Sequence, residues 1–531
     1  MLRSALLATC MLAAGLAAAQ APAQAQPQPQ PTRTLTIGMA GIPTGMDPHY
    51  HSSNNNNAQL RQIFNPLLDL DTQSRIFPVL AESWRNIDDL TWEFRLREGV
   101  RFHDGTPFEA EDVAFSFARV PQVPNSPGPF TPMVRTIAEV RIIDPRTIHV
   151  ITREPAPFFD RDITAIMILS RRIHANAVLG DFNQGRALIG TGAYRHVSYA
   201  QGERHEFTRN PDFWGPRPAW DRVITRYMTN NGARVAALLA GDVDLIDAVP
   251  VQDVQRLSQD PRLAVFTADS ITTSYLMPDT VRDQAPFVTD KQGNPLPRNP
   301  LRDLRVRQAI SLAIPREAIV SRLLVGQGRA AEQFAAPALP DRVQGLPPMA
   351  TDLARARALL AEAGFPDGFR MTIHGPNGFI PSDADILQAI AQGLTRIGIE
   401  TRVEVLPPAN FFTRATAREF GMFMTTFTTS TAANMLRQVV ATRDPVTGFG
   451  PFNRQHYSNP AVDAPLSEAL RTMNPERRLA LTAQAMRAAT DDLGVIPVHY
   501  LRVSWAAQRA RVRYDASPIW YTNALLASPA E

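Results

Sequence analysis

Cysteine is almost missing from this chain: Cys10 is the only one in 531 residues. If the N-terminal segment that holds it is removed, no disulfide and no thiolate nucleophile remain. Lysine is as scarce. Lys291 stands alone, so arginine carries nearly all the basic charge, and 54 Lys plus Arg against 51 Asp plus Glu give a net charge of +3. The bases alternate with acids, as in Arg302-Asp303-Leu304-Arg305, and form no stripe that could track a nucleic-acid backbone. Beyond the N-terminus there is no apolar run long enough to span a bilayer. Catalytic signatures are missing too. There is no Gly-x-Ser-x-Gly elbow and no phosphate-binding loop, and Gly326-x-Gly328 follows a helix as a connector. His205-Glu206 starts a zinc-protease-like string, but Arg209 occupies the place of the second histidine, so the segment reads as an exposed strand edge. Asp242-Val243-Asp244 with Asp247 has a metal-like spacing, yet it reads as a polar strand start after a helix stop. His49 and His51 share a face after the first strand, where lining a ligand is the better reading than holding a metal. No catalytic residue, metal or cofactor is expected.

What is present begins at residue 1. Met1-Leu2-Arg3 is basic, Ala5 to Ala19 is uncharged and rich in Ala and Leu, and small residues with cleavage spacing follow at Ala17/Ala19 and Ala23/Ala25. That is the order of a secretory signal, and the apolar run is shorter than the roughly 17–25 residues of a spanning helix. Leu7-Ala8-Thr9-Cys10 is a poor lipidation site because Thr9 is unfavourable and the apolar run continues past it. Residues 1–25 are expected to be a cleaved signal peptide and 26–32 a Gln/Pro-rich linker. The rest, 44% hydrophobic and 20% charged over the whole sequence, is ordinary globular composition with room for two or three domains.

Order starts with a strand at Thr34-Leu35-Thr36-Ile37. Leu90 to Leu96 alternates cleanly, with Leu90, Trp92, Phe94 and Leu96 on one face. A helix over 109–119 and a hairpin around Asp144-Pro145 follow. Later, strands at 369–373, 399–405 and 422–427 alternate with helices at 382–397 and 411–418, which implies a parallel or mixed sheet covered by helices. Thr351 is expected to cap a helix ended by Gly364, and a last strand is expected at 495–500. Ligands of such sheets sit beyond the carboxyl ends of strands, which places Gly375-Pro376-Asn377 and Thr428-Thr429-Ser430 near a cleft.

Several strings recur in one known family. Leu80-Ala81-Glu82-Ser83-Trp84 is followed by Leu90-Thr91-Trp92-Glu93-Phe94-Arg95-Leu96-Arg97-Glu98-Gly99-Val100-Arg101-Phe102-His103-Asp104-Gly105. Gly190-Thr191-Gly192-Ala193-Tyr194, Arg209-Asn210-Pro211-Asp212-Phe213-Trp214-Gly215, Gly241-Asp242-Val243-Asp244 and Asp303-Leu304-Arg305-Val306-Arg307-Gln308-Ala309-Ile310 come after it in order. Across nearly the whole mature chain the sequence resembles the family 5 solute-binding proteins of ABC importers for peptides, nickel and related solutes. The resemblance implies an α/β, two-lobed periplasmic-binding-protein fold of cluster C type, with an extra small α+β domain on the first lobe. Mapped here, 33–62 with 190–268 and 488–531 form lobe one, 63–189 the extra domain and 269–487 lobe two, with chain crossovers near Ala268 and Asp491.

The resemblance also implies a periplasmic, monomeric, non-enzymatic receptor that closes on a small solute and presents it to an inner-membrane permease and ATPase. Peptide-binding members resemble Gly-Trp followed three residues later by Asp, and that Asp pairs with the peptide ammonium. Here those positions fall on Thr426-Phe427 and Ser430. Serine cannot supply the charge-assisted bond that offsets desolvation of an ammonium, whereas Phe427 still offers an apolar wall. A neutral, modified or differently oriented peptide-like ligand is therefore expected. The candidate lining residues are Met46, Asp47, Tyr50 and His51 after the first strand, Tyr275 and Met277 on the first strand of lobe two, and Asn377, Phe379, Phe427 and Ser430 in its loops; Asp47 is a candidate for the missing anion. The competing readings are a secreted hydrolase, for which no nucleophile-base or metal constellation can be assembled, and a chemosensory or chaperone-like binder that serves no permease.

Overall fold

The computed structural model describes residues 32–519 and 521–530. The signal, its cleavage sites, Cys10 and the linker up to residue 31 lie outside the described residues.

A twelve-stranded mixed sheet forms the frame. From one edge its strands run Val288–Thr289, Phe369–Pro376, Met422–Thr428, Leu263–Pro278, Ile496–Gln508, Leu245–Ile246, Thr34–Met39, Arg222–Tyr227, Arg204–Arg209 and Tyr194–Ala200. Ile399–Leu406 pairs with Phe369–Pro376, and Gly328–Ala330 with Ile496–Gln508. The two central strands, Leu263–Pro278 and Ile496–Gln508, are the longest and are shared by both halves of the sheet.

The first half is built on Thr34–Met39, whose Leu35, Ile37 and Met39 are buried. It pairs in parallel with Arg222–Tyr227 and Leu245–Ile246. Gly190 and Gly192 lock this half: a Cβ at Gly190 would lie 2.0 Å from the Ile63 carbonyl oxygen, and one at Gly192 would lie 2.4 Å from that of Gln62. The close approach lets Gly192 N–H donate to Ile63 and Tyr194 N–H to Gln62, which gives the Gly-Thr-Gly string its physical reason. His205 is wholly buried here, between Tyr194–Ala200 and Arg222–Tyr227, with Nε2 3.0 Å from His196 Nδ1. The exposed edge expected at His205 is thus corrected: two further strands flank Arg204–Arg209 and bury it.

A separate antiparallel sheet, Ala81–Asn86, Thr91–Leu96, Thr147–Thr152 and Ile137–Asp144, carries its own core of residues between Leu67 and Ile168. Trp92, Phe94 and Leu96 point into that core, against the helix Ala110–Arg119. Leu90 does not join them; its N–H is held by Asp88 in the preceding turn and its side chain is 39% exposed.

The second half has the expected strand-helix alternation. Phe369–Pro376 lies parallel to Ile399–Leu406 and Met422–Thr428, and the helix Asp383–Arg396 buries Ile386, Leu387, Ile390 and Leu394. Its sheet has a core on each face. Leu276, Met424 and Val498 belong to one, and Tyr275, Met277, Phe423 and Tyr500 to the other. The helix Leu353–Glu362 is capped by Asp352 rather than Thr351, whose hydroxyl donates to Ile314 instead.

The last strand is Ile496–Gln508, far longer than 495–500. Its residues 496–500 pair with 273–276 in the second half, and its residues 502–508 pair with 263–269 in the first. The pairing thus changes from one half of the sheet to the other within this strand, near Leu501. Asp492 and Val498 belong with the second half, through a 2.8 Å ion pair to Arg307 and through core packing respectively.

Candidate functional site

The two crossings form the floor of a cleft. Pairing between the central strands breaks after Asp269 and resumes at Thr273. At the break Arg502 Nε donates to Asp269 Oδ1 at 2.6 Å, and Arg329 Nη1 donates to Oδ2 at 3.1 Å. Burial alone would raise the Asp269 pKa, but the two guanidinium bonds outweigh it and hold the carboxyl below its usual range. One strand turn further on, Ser504 Oγ donates to Gln327 Oε1 at 2.6 Å, tying the first half to the loop before Gly328–Ala330.

Above this floor lies a cavity of about 610 Å³ between the halves. Its first wall is Asp247 to Val251, just past the carboxyl end of Leu245–Ile246. Arg234 shapes that wall. Wholly buried, it donates to the carbonyls of Met228, Asp247 and Ala248, while Asp247 Oδ1 accepts from Ala40 N–H at 2.7 Å. Burial raises the Asp247 pKa, opposed by the Ala40 N–H and Arg234. Ala248 is held at φ +44°, a left-handed conformation costly for a residue with a Cβ. The opposite wall is the turn Gly378 to Ser382. Asp383, at the start of its helix, accepts from the N–H groups of Gly378, Phe379 and Ile380, which fixes the turn. Phe379 stands 43% exposed on it, edge-on to Phe412 with ring centroids 5.1 Å apart.

Of the ten candidate residues, Phe379 alone lines this cavity. Phe427 and Ser430 sit half-buried at the cleft end of Met422–Thr428, Phe427 with its ring 5.3 Å from that of Phe452. Asn377 is exposed, and its N–H donates to Leu406. Tyr275 and Met277 are core residues; Tyr275 is edge-on to Phe334 at 5.0 Å, and burial pushes its hydroxyl pKa up. Met46 is buried in the first core. Tyr50 and His51 are half-buried; the Tyr50 carbonyl accepts from Ser126, and His51 Nδ1 lies 2.8 Å from Thr44 Oγ1.

Asp47 does not stand free to replace an anion at position 430. It is 1% exposed and forms a two-point ion pair with Arg119, at 2.6 and 3.0 Å. His49 packs beside them, its Nε2 2.8 Å from the Met167 carbonyl, and burial lowers its pKa to about 4. His49 and His51 thus face different partners. An acid that sequence reasoning missed holds the backbone two residues beyond Ser430. Asp341 accepts from the N–H groups of Ala432 and Ala433, at 2.5 and 3.0 Å, although its distance in sequence left no signal. Asp247 was findable, since it closely follows the strand start read at Asp242-Val243-Asp244.

The model of bacterial extracellular solute-binding proteins, family 5 Middle, matches residues 75–441. The glutathione-binding protein GsiB of Salmonella typhi is 27% identical over 454 residues, covering 83% of this chain and 84% of that protein. Heme-binding protein A of Haemophilus influenzae is 28% identical over 502 residues, covering 88% and 86%. Among solved structures, HbpA2 from Haemophilus parasuis superposes with a TM-score of 0.80 at 23% identity, covering 94% of this chain and 100% of that one. DppA from Helicobacter pylori in complex with peptide STSA superposes at 0.73 and 22%, covering 94% and 98%. Two strands carrying the chain between two walls around a cavity is the two-lobed arrangement these relatives share, and the family match spans most of the chain. The chain belongs to family 5 of the bacterial extracellular solute-binding proteins, two-lobed receptors that serve ABC importers.

Proposed function

We propose that this receptor works in the periplasm, freed by signal cleavage, as a monomer that captures a small peptide-like solute bearing its own carboxylate next to its amino group. The observation that carries the reading is Ser430 beside Phe427 at the cleft end of Met422–Thr428, where the nearby acid, Asp341, is committed to two backbone N–H groups. A lone ammonium placed there would lose its hydration without gaining a free carboxylate. A γ-glutamyl peptide avoids that loss, because its ammonium is already neighboured by its own carboxylate. Relatives named for glutathione binding support the same class.

We further propose that the lining set contracts to Phe379, Phe427, Ser430 and Asn377 on lobe two, with Tyr50 and His51 on the facing side. Met46, Met277 and Tyr275 support the walls from behind, and Asp47 supports the first lobe through Arg119. The lobes are taken as 33–62 with 190–268 and 502–531, and 269–501, with 63–189 as the extra domain.

Calorimetry on the mature protein tests the reading. Glutathione is expected to bind with a Kd of about 1 μM or tighter, and an unmodified tripeptide of ordinary α-linkage about tenfold more weakly. Tight binding of α-linked di- or tripeptides that N-acetylation abolishes would sink it.

A further inference from the structure

The extra domain and lobe two meet at a second seam, away from the crossing strands. Phe158 of the extra domain packs against the lobe-two core, and the Arg478 guanidinium lies 5.1 Å above its ring. Beside this contact the seam opens into a cavity of about 630 Å³, lined from one side by Arg135, Glu154 and Asp162 and from the other by Arg437, Asp463 and Arg471.

Two of these side chains are uncompensated. The Asp162 carboxyl has no hydrogen-bond or salt-bridge partner among the described residues, and Arg437 lies across the seam from it without reaching it. The Arg437 Nε is buried without a partner among the described residues, and the ring of Phe449 lies 5.6 Å from its guanidinium. Arg135 reaches the same place from the extra domain: a Cβ on Gly448 would be 3.2 Å from Arg135 Nη1 and 3.5 Å from Arg437 Nη2. The close approach of two guanidiniums is unfavourable unless an anion sits between them. Consistently, desolvation and then the neighbouring Arg135 push the Arg437 pKa down, while desolvation pushes that of Asp162 up to about 7.

Asp162 on the extra domain and Arg437 on lobe two share one cavity without touching. A phosphate-like dianion would suit the arginines but be repelled by Asp162 and Glu154. A molecule carrying both an ammonium and a carboxylate matches both sets. We propose that this seam cavity is a second solute site, for an amino-acid-like zwitterion whose carboxylate is bound by Arg437 and Arg135 and whose ammonium is bound by Asp162. Such a ligand bridges the extra domain to lobe two, so its binding favours the closed arrangement of those two bodies. The inference is independent of which solute the cleft takes.

The test is calorimetry of the full mature chain with L-glutamate, chosen because Arg471 lines the same cavity and offers a cation for the second carboxylate. N-acetyl-L-glutamate and inorganic phosphate are the comparison probes, and Arg437→Gln, Asp162→Asn and Phe427→Ala are the variants. Wild type is expected to bind L-glutamate. Arg437→Gln, Asp162→Asn and N-acetylation are each expected to weaken binding about tenfold, with Phe427→Ala within about twofold of wild type. The proposal is overturned if wild type does not bind L-glutamate or binds phosphate as tightly. It is equally overturned if both seam variants bind like wild type, or if Phe427→Ala alone abolishes binding. Melting curves identify any variant that fails to fold, and the N-acetyl comparison on wild type decides the ammonium contact without a substitution. Glutathione binding to the Arg437→Gln variant reads the cleft separately.

Discussion

Arg502 and Asp269 meet at 2.6 Å where the two central strands pass between lobes, so an ion pair sits on the axis about which the lobes must turn. Their side chains are 36% and 28% exposed. Solvent screens such a pair, and it is worth about 0.5–1 kcal/mol. Asp269→Asn is therefore expected to lower Tm by only about 1–3 °C, yet to broaden the distribution of lobe angles, because both Arg502 and Arg329 lose their shared anchor. Single-molecule fluorescence between labels on the two lobes measures this; an unchanged distribution would show that the break in pairing alone sets the angle.

Ser430 offers a gain-of-function test. Ser430→Asp places an acid where the family resemblance implies one in peptide-binding members. Affinity for an unmodified α-linked tripeptide is expected to rise about tenfold or more, while glutathione weakens because the new carboxylate opposes its own. Competition calorimetry with both ligands reads the two changes. No gain for the α-linked tripeptide would mean that the position does not face the ligand amino end.

The Asp47–Arg119 pair predicts a stability effect with little binding effect. Removing one partner strands a charge in a nearly dry site, so Arg119→Ala is expected to cost about 3–5 kcal/mol in denaturant unfolding. Asp47→Asn should cost less and leave glutathione affinity within about twofold. A large affinity loss with intact melting would return Asp47 to the binding site.

Asp162 gives the pH dependence its sign. Burial raises its folded-state pKa from 3.8 to about 7, so the folded chain holds this proton where the unfolded chain has lost it. Its contribution is complete below about pH 4 and is lost as pH rises to about 7, at up to about 1.4 kcal/mol per pH unit before solvent screening. Asp162→Asn removes that slope, so the variant should gain stability relative to wild type between pH 5 and pH 8. Buried His49 and His103, both lowered to about 4 chiefly by burial, weaken both proteins alike towards acid and cancel in the comparison. Parallel Tm-pH curves for the two proteins would exclude this role for Asp162.

The sequence was most readable where neighbours along the chain decide the outcome. Alternation in Thr91–Leu96 and the apolar stripe of Asp383–Arg396 each appear within a dozen residues, and both elements fold as their patterns imply. The site was less legible because its partners are distant. Asp47 finds Arg119 72 residues on, and Asp341 finds Ala432 91 residues on. Position after a strand end suggested lining for Met46, yet nothing local distinguishes a methionine facing a cleft from one facing a core. His205 looked like an edge because strand order is set by non-local pairing, and the return strand looked short because Arg502 and Ser504 interrupt its apolar character exactly where it leaves one core for the other.

The shared central strands have a mechanical consequence. A receptor whose lobes hang on loops can lose one lobe while the other persists. Here every turn of the lobes must twist a hydrogen-bonded ribbon that is also the middle of both cores, so damage in either lobe is felt as loss of register in the other. Heating the chain should therefore give one calorimetric transition for the two lobes, with only the extra domain, which has its own sheet, able to melt apart.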